Sequence, residues 1–318
     1  MILLSVIIPT RNRAKYLEKA LESISNQTLS QKFYEVIIVD NGSIDHTKDV
    51  VRNFEKKNEN LVYLYDDTPG LHIGRHKGLL QARADILVYA DDDIIAFPTW
   101  LEGIMESFED KDVVLVGGKV LPYYEIEPPK WIVDMWEKGK EIKIIPYLSL
   151  VDLGDKVVNN VNPYYIFGCN FSIRKDILYK AGGFHPDGMP QELRLYRGDG
   201  ETHVAKYILE NGLKAVYNPK ASVYHFVSKE RMTKEYFIQR AFNQGISDSY
   251  SDIRNGKKRS LMKLRMKILI KKYLLRKDVS IETGYIKGYE YHKREVKRSP
   301  KLLEWIKRES YIYNGGIE

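Results

Sequence analysis

Residues 87–100 read LVYADDDIIAFPTW. An apolar run enters Asp91, Asp92 and Asp93, and apolar residues resume at once. Two unit charges about 4 Å apart repel by roughly 4 kcal/mol at an effective dielectric of 20, so three adjacent carboxylates require counter-charge. In a polar loop such a triplet is a solvated turn, since Asp is a good turn residue. Here the preceding segment, DILVYA (85–90), is a short continuous apolar run, the pattern of a strand buried on both faces. Open α/β sheets bind ligands beyond the carboxyl ends of such strands, where a divalent cation and a phosphate are natural partners for carboxylates.

The same pattern recurs on either side. LLSVIIP (3–9), YEVIIVD (34–40), LVYLY (61–65) and VVLVGG (113–118) are strand-like, and helix-like stretches fall near 14–26, 45–57, 74–83 and 99–109. Leu17, Ala20, Leu21 and Ile24 give the first helix an apolar stripe. This alternation predicts an α/β protein with a mostly parallel sheet and helices on both faces. After residue 118 the order weakens. LPYYEIEPPKWIVDMWEKGKE, rich in Pro and aromatics, reads as an irregular excursion and a candidate lid. Its Trp131 and Trp136 suit core packing or a sugar ring. Residues 164–184 read strand, helix and Gly–Gly turn. Residues 197–213 form a helix entered through an acidic loop, two short strands flank Pro219, and the pattern is helical from about 230.

The 318 residues suffice for one large α/β domain, or for one domain with a helical appendage. The single cysteine, Cys169, excludes a disulfide framework and a multi-Cys metal site, reads as a small buried hydrophobe, and is compatible with a reducing cytoplasm. The N-terminal apolar run lacks a basic lead and breaks at Pro9, which marks a strand and not a signal peptide. No stretch reaches the ~18 apolar residues of a spanning helix. Net charge is +7, and residues 257–277 hold ten Lys or Arg and no acid. In a helix, Leu261, Leu264, Ile268 and Leu275 share one side, with Met262, Met266, Leu269 and Tyr273 adjoining. Two readings follow: an interfacial helix on an anionic membrane, or a helix packed on its own domain or a partner with a solvated basic face. No nucleic-acid-binding module is present, so nucleic acid is not an expected partner. The oligomeric state is open.

PTRNR (9–13), DNGSIDHT (40–47), DDTPGLHIGRHKG (66–78) and the Asp triplet follow the first four strands. Parallel strands share a direction, so these exits converge on one edge. There Asp40 suits a base edge or ribose, and Arg13 and Arg75 suit phosphate oxygens as charge-assisted forks.

SVIIPTRNR, VIIVDNGSIDHT, PGLHIGRHKGLLQARADILVYADDD, GCNFSIRKDILYKAGGF and GDGETHVAKYILENGLKAVYNPKASVYH, in that order, resemble the family-2 glycosyltransferases of the GT-A fold, over about residues 4–228. The resemblance implies a Rossmann-like, mostly parallel mixed sheet flanked by helices. It implies a catalytic domain over 1–228, with a nucleotide-sugar half (1–118) and an acceptor half (119–228), before a basic helical extension (229–318). It further implies a nucleotide-sugar donor, uridine-linked, Mn²⁺ or Mg²⁺, and inverting transfer to a hydroxyl of a glycan or lipid-linked acceptor, in cell-surface polysaccharide or glycolipid synthesis. The expected location is cytoplasmic and peripheral at the inner face of the cell membrane.

Carried over residue by residue, Pro9, Thr10 and Arg13 line the nucleotide and Asp40 binds the base. Arg75, Asp91 and Asp92 bind the donor, and Asp93, Asp91 and His225 hold the metal. Asn170 and the Gly182–Gly183 turn lie near the acceptor. Two departures stand out: GRH, with His76, where the family has ARN, and GDGETHV, with His203 replacing the final acid. His72, His76 and His203 read as polar loop or helix residues. The base lies between Asp199 and Glu201, with Glu201 the first choice because it aligns with the second acid of the family's acidic pair and opens a helix; the alternative role for either is helix capping. A sugar nucleotidyltransferase would need a Gly-rich phosphate loop after the first strand, and PTRNRAKY has no glycine. A non-catalytic nucleotide- or glycan-binding homologue is the remaining alternative, raised by His203.

Overall fold

A computed structural model describes residues 2–139, 141–313 and 315–317. Its thirteen strands among the described residues are β1 (Leu4–Thr10), β2 (Tyr34–Asp40), β3 (Leu61–Tyr65), β4 (Ile86–Ala90), β5 (Ile94–Ala96), β6 (Val113–Gly117), β7 (Val120–Tyr124), β8 (Lys143–Ile145), β9 (Leu150–Asp152), β10 (Val158–Asn159), β11 (Asn170–Arg174), β12 (Lys214–Tyr217) and β13 (Val223–Val227). The helices are α1 (Ala14–Ser25), α2 (Thr47–Glu55), α3 (Leu71–Gln81), α4 (Trp100–Phe108), α5 (Lys130–Glu137), α6 (Lys175–Lys180), α7 (Glu201–Glu210), α8 (Lys234–Arg254), α9 (Met262–Leu269), α10 (Ser280–Arg298) and α11 (Pro300–Lys307).

The main sheet runs β10-β12-β6-β11-β4-β1-β2-β3. Its half from β4 to β3 is parallel, as expected from the alternating pattern. Every residue of β1 and β2 is buried, which is why both read as unbroken apolar runs. β11 enters antiparallel between β4 and β6, so the sheet is mixed. A second sheet, β5-β13-β7-β9-β8, lies beyond it. Much of the expected irregular excursion is therefore regular structure. Trp131 packs edge-on against Phe237, with ring centroids 4.9 Å apart, so the core-packing reading of this tryptophan holds.

Two glycines set the depth of α3. A Cβ on Gly74 would stand 2.8 Å from the Pro9 Cβ, and one on Gly78 would collide with the Ile7 side chain. The helix therefore presses directly on β1, and Arg75, the next residue after Gly74, is carried to the sheet's carboxyl edge.

The C-terminal segment folds back on this same helix. The His76 Nε2 accepts from the Phe184 amide at 2.9 Å, so Nδ1 carries the proton and donates to the Tyr311 carbonyl at 2.9 Å. His72 Nε2 lies 3.0 Å from the Gly315 carbonyl. Both imidazoles are buried. They are helix residues, as one of the sequence readings has it, but buried ones that hold the C-terminal segment. α8 and α10 complete the extension, meeting so closely at Gly288 that an added Cβ would overlap the Phe242 carbonyl.

Burial pushes His72 down to about 4 and His76 to about 3. Free histidine titrates near 6.5. Between that value and about pH 4 the unfolded chain binds protons that the folded chain refuses, so stability falls as pH drops, by up to about 1.4 kcal/mol per pH unit for each imidazole. We predict that His76→Gln flattens this acid loss. Urea unfolding of both proteins at pH 7 and pH 5 measures it, and the comparison cancels the other titrating groups. Equal losses in both proteins would contradict the clasp.

Candidate active site

A cleft of about 450 Å³ opens at the carboxyl ends of β1 and β4. Thr10 and Arg13 reach it from the exit of β1, Arg75 from α3, the three aspartates from the exit of β4, and Glu201 from the start of α7. His225 on β13 faces it, and the extension supplies Arg231, Tyr236 and Arg240. Residues 122–136, the expected lid, are absent from its described lining.

The counter-charge demanded by the aspartates comes from four separate segments. Asp92 accepts the Thr10 hydroxyl at 2.7 Å and pairs with Arg13 Nε at 2.7 Å. Asp93 pairs with Arg13 at 2.5 Å and with Arg231 at 3.5 Å, and lies 3.2 Å from His225 Nε2. Asp91 faces Arg75 at 3.8 Å. Its side chain is 33% exposed, against 7% and 6% for Asp92 and Asp93, so Asp91 presents most carboxylate to the cleft. Burial pushes Asp91 up against the pull of Arg75, and pushes Asp92 up to about 7 against that of Arg13. Burial also opposes ionisation of Asp93, but His225, Arg13 and Arg231 outweigh it and hold this carboxyl well below the usual range.

The donor set suits a divalent cation. His225 Nδ1 lies 3.0 Å from the Leu148 carbonyl and donates to it, which turns Nε2 to the cleft. Nε2 lies 3.2 Å from Asp93 Oδ1 and 3.5 Å from the Arg231 guanidinium. The Arg231 guanidinium supplies positive charge at this gap, and a divalent cation would take its place. Ligand atoms of His225, Asp91 and Cys169 also lie within 4.8 Å of one another. Burial holds the Cys169 thiol well above its ordinary range, and its soft sulfur matches Mg²⁺ or Mn²⁺ less well than the hard carboxylate oxygens do.

Gly200, at φ +54°, turns the chain into α7 and aims Glu201 at the cleft. Glu201 accepts the Gly168 amide at 3.1 Å and pairs with Arg75 at 3.4 Å. Gly168 is needed here, since an added Cβ would strike the Arg75 guanidinium and stand 3.0 Å from the Glu201 carboxyl. Arg75 thus bridges Asp91 and Glu201.

Asp199 points elsewhere. Its carboxylate pairs with His185 at 2.5 Å and accepts the Ser251 hydroxyl at 2.5 Å, tying the entrance of α7 to α8. His203, four residues on, stacks on His185 with centroids 3.6 Å apart. Asp40 is also turned away. It accepts the Ser43 amide and the Tyr63 hydroxyl, both at 2.8 Å, and the neighbouring Asn41 lines the cleft instead. Asn170 is buried between Trp100 and the Ala221 carbonyl, and Gly182 meets Ser310. None of Asp199, Asp40, Asn170 and Gly182 is among the described cleft residues. Sequence reading missed Arg231, Tyr236 and Arg240. The four-residue spacing of Tyr236 and Arg240 on one helix face was the available signal.

This fold and this cleft define a class of protein. The description "Glycosyl transferase family 2" matches residues 5–182, more than half of the sequence, and the chain belongs to that family. It is 38% identical over 117 residues to the glycosyltransferase AglE of Haloferax volcanii, a match covering 36% of this chain and 38% of AglE. It is 25% identical over 260 residues to the glucosyl-dolichyl phosphate glucuronosyltransferase of the same organism, covering 78% of this chain and 77% of that one. Two solved structures share the GT-A fold. The mannosyltransferase PcManGT from Pyrobaculum calidifontis, in complex with GDP-Man and Mn²⁺, has a TM-score of 0.57 at 19% identity, covering 97% of this chain and 84% of its own. S. aureus TarS 1–349, in complex with UDP-GlcNAc, has a TM-score of 0.54 at 16% identity, covering 96% and 84%.

The placement of the two acids separates their expected roles. Asp199→Ala leaves the His185 Nδ1 without its partner and Ser251 with only the Ser247 carbonyl, and is expected to lower stability by about 1–3 kcal/mol. Glu201→Gln keeps an acceptor for the Gly168 amide and is expected to lower it by less. Urea unfolding of both variants checks the order, and a larger loss for Glu201→Gln would reverse the assignment.

Proposed function

We propose that this protein transfers a sugar, with inversion, from a nucleotide diphosphate donor to a hydroxyl of a glycan or lipid-linked acceptor, with a divalent metal bound. One observation carries the reading: Asp91, Asp93 and the Nε2 of His225 share a single cleft with Glu201, which Arg75 joins to Asp91. Asp93, Asp91 and His225 would hold Mn²⁺ or Mg²⁺. When bound, the metal neutralises the leaving diphosphate. Thr10 and Arg13 fix Asp92 and Asp93 and, with Pro9, form the nucleotide wall. The Asp40 carboxylate fixes the 40–43 turn, and Asn41 meets the nucleoside. Glu201 accepts the proton of the attacking hydroxyl, and Arg75 keeps its carboxylate placed for this. Transfer is thus a one-step displacement assisted by a base, which inverts the sugar carbon.

We take the donor to be uridine-linked, as in the TarS complex; the guanosine donor of PcManGT is the alternative. The lipid-linked acceptor is supported by relatives named for such substrates, among them the GalNAc(5)-diNAcBac-PP-undecaprenol beta-1,3-glucosyltransferase of Campylobacter jejuni. It is also supported by α9 and the turn after it. Leu261, Leu264 and Ile268 are half-buried, and Lys271 pairs with Glu282 at 2.5 Å. Met262, Met266, Leu269, Ile270, Tyr273 and Leu274 stand exposed among the basic residues, up to 76% for Leu274. Such a face suits an anionic membrane surface, and no described helix is long and apolar enough to cross one. On this reading, residues 1–228 carry the chemistry at the cytoplasmic face and 229–318 bring it to the lipid.

Turnover of Glu201→Gln is expected to fall about 10²–10⁴-fold with little change in donor affinity. Chelation is expected to abolish transfer, and Mn²⁺ or Mg²⁺ to restore it. Donors are selected first by thermal shift with UDP- and GDP-linked sugars, since a ligand of the folded state raises the melting temperature. Full turnover in excess chelator, or by Glu201→Gln, would sink the corresponding role. For the basic face, co-sedimentation with anionic vesicles is expected to exceed that with neutral ones and to weaken in high salt. Equal, salt-insensitive behaviour with both would leave α9 as a packing helix alone.

A further inference from the structure

Six arginines and five carboxylates line the described cleft. Arg13, Arg75 and Arg231 answer the aspartate triplet and Glu201, and Arg197 pairs with Asp187 at 2.5 Å. Arg11 is exposed at the rim. That leaves Arg240, projecting from α8 into the cleft one turn beyond Tyr236. Among the described residues, its guanidinium makes no hydrogen bond or ion pair, and its Nε is shut off from solvent. The Nε of Arg197 is likewise buried without a hydrogen-bond partner. Both guanidiniums act on the same buried carboxyl: burial pushes Asp187 up, and Arg197, Arg75 and Arg240 together hold it below the usual range. Both arginines line the same cleft as Asp187, with an unpartnered Nε donor left on each. Leaving buried donors unmade is unfavourable.

Charge balance indicates which substrate answers them. On the function proposed above, a divalent cation and the diphosphate of the donor enter with charges that cancel, so neither neutralises Arg240. The remaining anion must arrive with the other substrate. We infer that Arg240 and Arg197 form an oxyanion subsite that holds a phosphoryl group carried by the acceptor. Planar guanidinium forks match phosphate geometry and outlast any pH change in the physiological range. The subsite draws one arginine from the segment before α7 and one from the C-terminal extension. Acceptor choice is thereby linked to the part of the chain that also carries the exposed basic helix. A phosphoryl group on the donor is the other source of the same chemistry, and the experiment separates the two.

The inference rests on the proposed transferase reading, and the test keeps the two apart. The full chain is first saturated with Mn²⁺ and the nucleoside diphosphate chosen by the donor screen; failure at this step counts against the transferase reading itself. Glucose 1-phosphate and inorganic pyrophosphate are then titrated in by calorimetry. Wild type is expected to bind at least one of them. Arg240→Gln is expected to bind it about 10- to 100-fold more weakly, with nucleotide affinity unchanged and Arg240→Lys intermediate. Melting temperatures report folding, and Arg240→Lys, which keeps the charge, stands in should the glutamine variant unfold. A nucleotide-saturated wild type that binds neither probe overturns the subsite, as does a probe affinity unaffected by losing the guanidinium. Loss of nucleotide affinity in place of probe affinity assigns these cations to the donor and overturns the acceptor role.

Discussion

Three adjacent carboxylates at the end of a buried strand are the constraint around which this molecule is built. Asp92 and Asp93 are almost wholly buried. Burial opposes ionisation of all three, and only opposed charge at close range offsets that penalty. Arg13, Arg75, His225 and Arg231 supply it from segments scattered over more than two hundred positions. The exit of β1, the glycine-lined face of α3, the second sheet and the beginning of the extension must all be in place before the triplet is tolerable. The cleft is thus a product of folding, and its charges are held before any substrate arrives, which is how a site lowers the reorganisation needed during reaction.

The extension belongs to this arrangement. Arg231 and Arg240 enter the cleft from beyond residue 228, and Ser251 on α8 holds Asp199. Tyr311 and Gly315 return to α3 through His76 and His72. The helix that carries Arg75 is therefore pressed by β1 on one side and clasped by the chain's end on the other. A division at 228/229 describes the course of the chain better than it describes the site.

Much of the main sheet was legible because its strands are unbroken apolar runs and its first helix has a clean stripe at Leu17, Ala20, Leu21 and Ile24. The exits of those strands were legible for the same reason, and they hold Thr10, Arg13, Arg75 and the aspartates. The second sheet was not. β5, β8 and β9 are three residues each, too short to show a period. The histidines misled because an imidazole's burial is set by its partner, and the partner of His76 lies 235 residues away. Asp40 and Asp199 sit beside the cleft in sequence and outside its lining in space, for a related reason: a short acid at a turn or helix entrance has local donors competing for it. Nothing local distinguishes Glu201, which faces the cleft, from Asp199, which does not, except the left-handed glycine between them.

The account stands or falls on the charge between His225 and the aspartates. Crystals of the full chain grown with Mn²⁺ and the selected nucleotide, with diffraction recorded at the manganese edge, would read it directly. The account predicts an anomalous peak within bonding distance of His225 Nε2 and of a carboxylate oxygen of Asp93 or Asp91, with Arg13 and Arg231 displaced from that oxygen. Nucleotide bound in the cleft with no manganese at these residues, and His225 still facing Asp93 across the same gap, would contradict it.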